Sequence, residues 1–282
     1  MTRVVLVGSL RPFSGAVLDG LCARGVNPAA VVIDGFAPAP DVSPIPISSP
    51  AASLPDVARA RSLSVEGTGD RPLADVLREA RPDVVFAACY PRRIDDDAVA
   101  ASGAGGFNVH PAVLPAYRGP SPVFWQLRDG CARGGVTVHR VTGEMDAGPI
   151  VAQAETEIPA GASESGLASA LGTRGGALCA DVIEALANGS LAERAQSEAE
   201  ATRQGLPDRS AYRLSTTWDA DRAYRFMRGV EARGETFEIE CGDAVLRVKR
   251  VLANDEPANE SEAVATLVFA GGALRVVSAE TS

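Results

Sequence analysis

A chain of 282 residues, 46% of them hydrophobic, can hold one full α/β unit and a small second one. Its formal net charge of −9 opposes gripping a polyanion, because nucleic-acid affinity rests on neutralising several phosphates. Nothing in it approaches the run of about 18 apolar residues that a membrane-spanning helix needs.

The first element is a short strand, Val4–Gly8, too brief an apolar run for a signal peptide and followed by no cleavage pattern. A helix from about Ser14 to Arg24 and a second strand, Ala29–Ile33, come next. The turn from Gly8 to Gly15 has neither G-x-G-x-x-G nor a Walker A pattern, which argues against nicotinamide and P-loop nucleotide binding. Residues 34–55 form a loop that is long for a compact domain, and such loops are commonly functional or mobile. Helical patterning resumes over Leu54–Arg61 and Leu73–Ala80, and the continuous apolar run Asp83–Cys89 reads as a strand buried on both faces. A helix near Asp95–Ser102, a strand Gly106–His110, a helix Pro122–Asp129 and a hairpin of Val136–Val141 with Ile150–Ile158 follow. A long helix, Glu164–Asn188, ends at Gly189, a suitable stop residue.

Alternating strands and helices with short turns predict an α/β fold with a doubly wound, mainly parallel sheet. Such sheets bind ligands beyond the carboxyl ends of their strands, where His110 and the Tyr90 turn both fall. The pattern divides the chain into a first domain, 1–190, a polar linker, 191–209, ending in Gly205-Leu206-Pro207, and a second domain, 210–282. That second part has one helical stripe, Thr217–Gly229, and short strands at Thr236–Glu240, Val245–Ala253, Ala265–Phe269 and Leu274–Ala279. Trp218, Tyr224 and Phe226 are expected to fill its interface with the first domain. The five cysteines are odd in number, widely spaced and without metal-ligand spacing, so they read as reduced thiols of a cytoplasmic protein.

The chain has only two histidines, His110 and His139, so acid–base chemistry near neutral pH has few other places to reside. On a strand, Asn108 and His110 project to one face and Val109 to the other. About one hairpin later, Glu144-Met145-Asp146-Ala147-Gly148 adds a carboxylate. An amide, an imidazole and a carboxylate together support transfer of a carbonyl group to an amine. Asn108 can donate to the developing oxyanion, and His110 can move the amine's proton or, once protonated, stabilise that charge. Asp146 can raise the imidazole's pKa and relay a proton through water. No covalent nucleophile and no metal are required. Spacing alone also admits a plainer reading, in which Asn108 and His110 cap a turn before Pro111 and Asp146 is only a turn residue.

The segment Gly106–Gly119, with Gly135–Arg140 and Asp146–Gln153, resembles the formyltransferases that use 10-formyltetrahydrofolate. The matched positions are Asn108, His110, Leu114, Pro115, Tyr117, Arg118, Gly119, Asp146 and Gly148. The run Gly-Val-Thr-Val-His-Arg with Asp-Ala-Gly-x-Ile-Val-Ala-Gln is especially similar to the formyltransferase domain that acts on UDP-4-amino-4-deoxy-arabinose. The likeness covers residues 1 to roughly 190 and is weaker beyond. It implies that Asn108, His110 and Asp146 are catalytic and that 10-formyltetrahydrofolate is the formyl donor. It implies a pterin pocket lined largely by main chain, with Cys89, Tyr90, Ile94, Val141 and Gly143 as folate contacts. Tyr117 and Arg118 would meet the acceptor, Arg118 at an anionic part. Residues 210–282 would correspond to the family's small barrel-like C-terminal domain, abbreviated. Where the family has serine this chain has Ala112, which leaves any contact made by that hydroxyl in question.

Within the family, charge separates the acceptors. Residues 37–50 are almost uncharged where a tRNA formyltransferase would carry a basic insertion. A small-molecule amine is therefore expected, first an amino sugar on a nucleotide, then an amino-acid-like compound. Methionyl-tRNA is the runner-up; water as acceptor, in a hydrolase, and an inactive folate-binding protein are further alternatives. The oligomeric state is not legible.

Overall fold

The computed structural model describes residues 2–34, 52–259 and 262–279. The expected long loop falls mostly in the interval between the first two of these segments and so lies outside the described residues. Seven strands form the central sheet: β1 (Val4–Gly8), β2 (Ala30–Ile33), β3 (Val65–Gly67), β4 (Val84–Ala88), β5 (Gly106–His110), β6 (Arg133–Arg140) and β7 (Ile150–Glu157). Their order is β3-β2-β1-β4-β5-β6-β7. The first five run parallel, β6 is antiparallel to β5, and β7 is antiparallel to β6. The mainly parallel, doubly wound architecture expected from the sequence is the one found.

Both faces of this sheet are covered, which is why β1 and β4 are buried along their whole length. Side chains alternate between two cores. Leu6, Ile33, Phe86 and Val109 face α1 (Pro12–Ala23), α2 (Leu54–Ala60) and α6 (Glu164–Ala187). Val5, Val7, Val32 and Val85 face α3 (Leu73–Ala80) and Ala98 of α4 (Asp96–Ala100). Period-two alternation within unbroken apolar runs thus builds both layers.

Beyond α5 (Pro122–Arg128) and the long α6, a second sheet is built from β8 (Arg213–Ser215), β9 (Phe237–Cys241), β10 (Ala244–Leu252), β11 (Val264–Phe269) and β12 (Gly272–Ser278), in the order β11-β12-β10-β9-β8. Its two edges curl toward each other: just past β11, the Ala270 N–H donates to Thr216 O at 3.1 Å, and its carbonyl accepts from Ala220 N at 2.9 Å. The helix α7 (Ala220–Val230) packs inside this curl through Ala223, Phe226 and Met227. Phe124 of α5 meets Tyr212 and Phe226, with ring centroids 5.5 Å apart in each pair, and Phe226 meets Phe237 at 5.7 Å. The buried side chains of the second sheet are therefore continuous with those of the first.

Residues 191–209 read by composition as a linker, yet they are sewn to the first sheet. Arg194 exchanges both backbone hydrogen bonds with Ile150, at 2.8 and 2.9 Å. Farther on, Arg118 N donates to Thr202 O at 2.9 Å and Gln204 N donates to Arg118 O at 3.0 Å. The segment is a strap laid over the start of β7 and the loop after β5. None of the described helices is long and apolar enough to cross a membrane.

Candidate active site

Strand pairing decides which side chains share a face. Asn108 of β5 lies opposite His139 of β6, and His110 lies opposite Thr137. Ala87 of β4 lies beside Asn108 on the other flank, so the next residue on that face, past the end of β4, is Cys89. Val109 points the other way, where it is 1% exposed against α6. The polar face of β5 thus opens at the carboxyl end of the sheet, between two neighbouring strands.

Two loops close on this face. Residues 111–119 turn back so that Tyr117 O accepts from His110 Nε2 at 2.8 Å. The loop between β6 and β7 places Asp146 with φ +57°, a left-handed conformation uncommon for a residue with a side chain. Asp146 Oδ2 accepts from the Gly119 N–H at 2.8 Å. Asp146 Oδ1 lies 3.3 Å from Asn108 Nδ2 and 3.6 Å from both His110 Nδ1 and His139 Nε2. The three residues singled out from the sequence therefore converge on one carboxylate oxygen.

The hydrogen bonds assign the protons. A carbonyl only accepts, so His110 carries its proton on Nε2, facing Tyr117 O, and Nδ1 is left as the working nitrogen. His139 donates through Nδ1 to Arg140 O at 2.8 Å, which leaves its Nε2 to accept from Asn108 Nδ2 at 3.1 Å. Both protons of the Asn108 amide are then committed, one to His139 and one to Asp146. The bond to Asp146, at 3.3 Å, is the longer and the more readily exchanged.

Burial acts on the two ionisable groups in different ways. For His110 the loss of solvent dominates and pushes the imidazole below its ordinary value, with His139 acting the same way and Asp146 pulling against them. For Asp146 burial opposes ionisation, but the two imidazoles and the Gly119 N–H outweigh it and hold the carboxyl well below the usual carboxylate range. At neutral pH the site holds an aspartate anion beside a neutral imidazole. The sequence reading had Asp146 raising the pKa of His110; it does pull upward, but burial wins.

The other expected contacts divide. Cys89 reaches the site's edge with φ +50°, and burial pushes its thiol up to about 11, so it stays protonated. Tyr90 and Ile94, both half-buried, stand in the segment after β4. Val141 and Gly143 stand in the Asp146 loop, and Arg93 Nη2 ties the two segments by donating to Gly143 O at 3.0 Å. Tyr117 and Arg118 need correction as acceptor contacts. The Tyr117 phenol turns away to Asp129 Oδ2, at 2.9 Å, and Cys131; only its backbone carbonyl faces the site. Arg118 is 1% exposed, with its guanidinium spent on Gln196 and Glu198. An arginine in a loop looks solvated from sequence, and only the strap's path shows what buries it. Ala112 is fully buried, and its carbonyl accepts from Thr137 Oγ1 at 2.7 Å.

Sequence reasoning gave no site role to His139, Gly119 or Gln196. His139 carried a signal, being the second of only two histidines and two residues past Thr137 on a strand. Gly119 was one of the matched motif positions but its N–H contact was not foreseen, and Gln196 carried no signal, because each acts through a contact distant in the chain.

A family model described as formyl transferase matches residues 12–183. A methionyl-tRNA formyltransferase of Thermotoga maritima is 26% identical over 234 residues, covering 82% of this chain and 73% of that protein. One from a Roseiflexus strain is 35% identical over 155 residues, covering 55% of this chain and 48% of that protein. Among solved structures, an N-formyltransferase from Helicobacter canadensis, in complex with folinic acid and dTDP-3-aminofucose, aligns with TM-score 0.64 at 15% identity, covering 99% of each chain. A glycinamide ribonucleotide transformylase from Symbiobacterium toebii aligns with TM-score 0.54 at 24% identity, over 70% of this chain and 95% of that one. At these identities the structures speak to the fold.

Proposed function

The chain belongs to the formyl transferase family, and from that premise we propose that it moves a formyl group from 10-formyltetrahydrofolate to a primary amine of a small metabolite. The observation that carries this reading is the convergence of Asn108, His110 and Asp146 on one point, with His110 neutral and Asp146 ionised. A neutral imidazole whose free nitrogen faces a carboxylate suits proton removal from an attacking amine. The paired segments 89–94 and 141–146, with Tyr90, Ile94 and Val141 half-buried along them, suit a flat bicyclic ring.

The folate supplies the formyl carbon and the nitrogen that departs from it. His110 Nδ1 takes the proton that the amine sheds on attack, and Asp146 steadies the imidazolium. As the tetrahedral intermediate collapses and its bond to the folate nitrogen breaks, that proton passes to the departing nitrogen. Asn108 turns its longer amide bond from Asp146 to the developing oxyanion, a donor worth roughly 3 kcal/mol of barrier. Tyr117 O holds the ring in register throughout.

A small acceptor is favoured by the charges around the mouth. Arg92 pairs with Asp34 and Arg203 pairs with Glu144 at 2.7 Å, so these two cations are already matched, while Arg93 is tied to the Gly143 carbonyl. Methionyl-tRNA is the second reading, favoured by the methionyl-tRNA formyltransferases among the relatives. The test incubates the protein with 10-formyltetrahydrofolate and follows tetrahydrofolate release with nucleotide-linked amino sugars, with amino acids, with methionyl-tRNA and with no acceptor. Release with a small amine supports the proposal. Release with charged tRNA alone replaces it with the second reading, release without acceptor replaces it with a hydrolase, and no release in any arm overturns it.

A further inference from the structure

We propose that the strap over the site is a working part of it, and that Gln196 is a positioning residue that sets the Asp146 carboxylate. The side-chain amide of Gln196 donates to Asp146 O at 2.8 Å and to Gly148 O at 2.7 Å, gripping the main chain at and just beyond the acid. Its Oε1 accepts from Arg118 Nε at 3.1 Å and Nη2 at 3.0 Å. Arg118 in turn is held by Glu198, with Nη1 at 3.0 Å and Nη2 at 2.7 Å from the two carboxylate oxygens. The residue after Arg118 is Gly119, whose N–H bonds Asp146 Oδ2. One run of bonds therefore leads from Glu198 through Arg118 and Gln196 to both the backbone and the carboxylate of Asp146.

Two further facts explain why this acid needs such support. Its left-handed backbone, at φ +57°, is strained for a residue with a side chain and persists only where surroundings over-determine it. Its carboxylate must also sit within reach of Asn108, His110 and His139 at once, and a small drift loses all three contacts. Gln196 does not touch the place where acceptor or folate would react. It acts through Asp146, and Arg118 acts through Gln196.

The inference rests on Asp146 belonging to the site proposed above, yet its test needs no acceptor. Because the chain has two histidines, 15N-histidine labelling yields two imidazoles, and a His139→Gln sample assigns them. The groups facing His110 are Asp146 from its loop, His139 from β6 and the Tyr117 carbonyl. Of these, Asp146 is the one that favours the charged ring through space. Gln196→Leu removes every bond of the side chain. Gln196→Glu keeps the acceptor for Arg118 but has no N–H for the two carbonyls. Arg194→Ala is the control, since that strap side chain bonds Gln153 Oε1, at 3.2 Å, and makes no bond to Asp146 or Gly148.

Both Gln196 variants are expected to lower the proton affinity of His110 by roughly threefold or more, while Arg194→Ala leaves it unchanged. Folded Gln196 variants whose His110 titrates as in the wild type overturn the inference. So does an equal shift in Arg194→Ala, which would make the strap a general brace. Should Gln196→Leu fail to fold, Gln196→Glu decides, because the Arg118 pairing survives in it. Once an acceptor is known, the same variants lower kcat with KM little changed. If formyl transfer is never seen but the titration moves, the positioning stands and the proposed activity falls.

Discussion

His110 and Asp146 sit in the same pocket, one neutral and the other ionised at about pH 7, and the difference lies partly in their hydrogen bonds. Asp146 collects donors that only an anion can use fully, whereas the ring nitrogen that His110 spends on Tyr117 O is satisfied in the neutral form. Replacing His110 or Asn108 with alanine is expected to lower kcat on the order of a hundredfold or more while sparing the fold. Wild-type turnover in either variant, in the release assay above, would defeat the mechanism. Stability should also fall on acidification, in two stages. His110 is held below its ordinary value of 6.5, so the unfolded chain takes up that proton first and folding is penalised as pH drops below about 6.5. Asp146 is depressed as well, so its contribution is complete above the ordinary carboxylate range and is lost as pH falls through and below about 4. Thermal midpoints recorded from pH 7 down to about pH 2 should show both stages. In His110→Gln the upper stage should flatten, and an unchanged curve would count against the burial argument.

At the scale of elements, most of the chain was legible because apolar periodicity reports directly on which face is buried. The helix over Leu73–Ala80 falls where the pattern put it, and the buried strand expected over Asp83–Cys89 is β4, a residue shorter at each end. The strands that escaped are β3 and β8, each three residues long. Strands so short hold too few side chains to show a period, and they exist because a neighbour offers them a ladder. The loops around the site depend on contacts of the same non-local kind. Gly119 has φ +119°, and a side chain there would run into the Gln204 carbonyl of the strap; at Gly148 it would run into the Arg140 carbonyl. Gly119→Ala is therefore expected to destabilise the protein by about 1–3 kcal/mol. It should also detach the N–H that grips Asp146, so that activity falls further than stability explains. Chemical denaturation alongside turnover checks this, and an alanine variant matching the wild type in both would show the strap to be pliable there.

At the scale of the whole molecule, the two sheets behave as one body because a single apolar core and a buried ion pair cross between them. Arg233, 6% exposed in its side chain, makes two bonds to Glu164 at the start of α6, at 2.6 and 2.7 Å, and lies over the Phe124 ring. Removing one partner strands the other in a largely dry setting, so Arg233→Ala is expected to cost about 3 kcal/mol. Unfolding should stay a single transition by both tryptophan fluorescence and far-ultraviolet dichroism. Two separated transitions would show that the C-terminal sheet folds independently.

From its order of residues alone, the chain determined its layered α/β class, most element positions, the amide–imidazole–carboxylate set and the family it resembles. Each of these is written in local periodicity or in short-range spacing. Tertiary structure alone decided that His139 lies beside Asn108 and Asp146, that Arg118 is a buried tie, and that the supposed linker bonds the backbone at Asp146 and Gly148. Those outcomes depend on which distant segments meet, and burial, proton placement and charge state are properties of such meetings, with no trace in any single stretch of sequence.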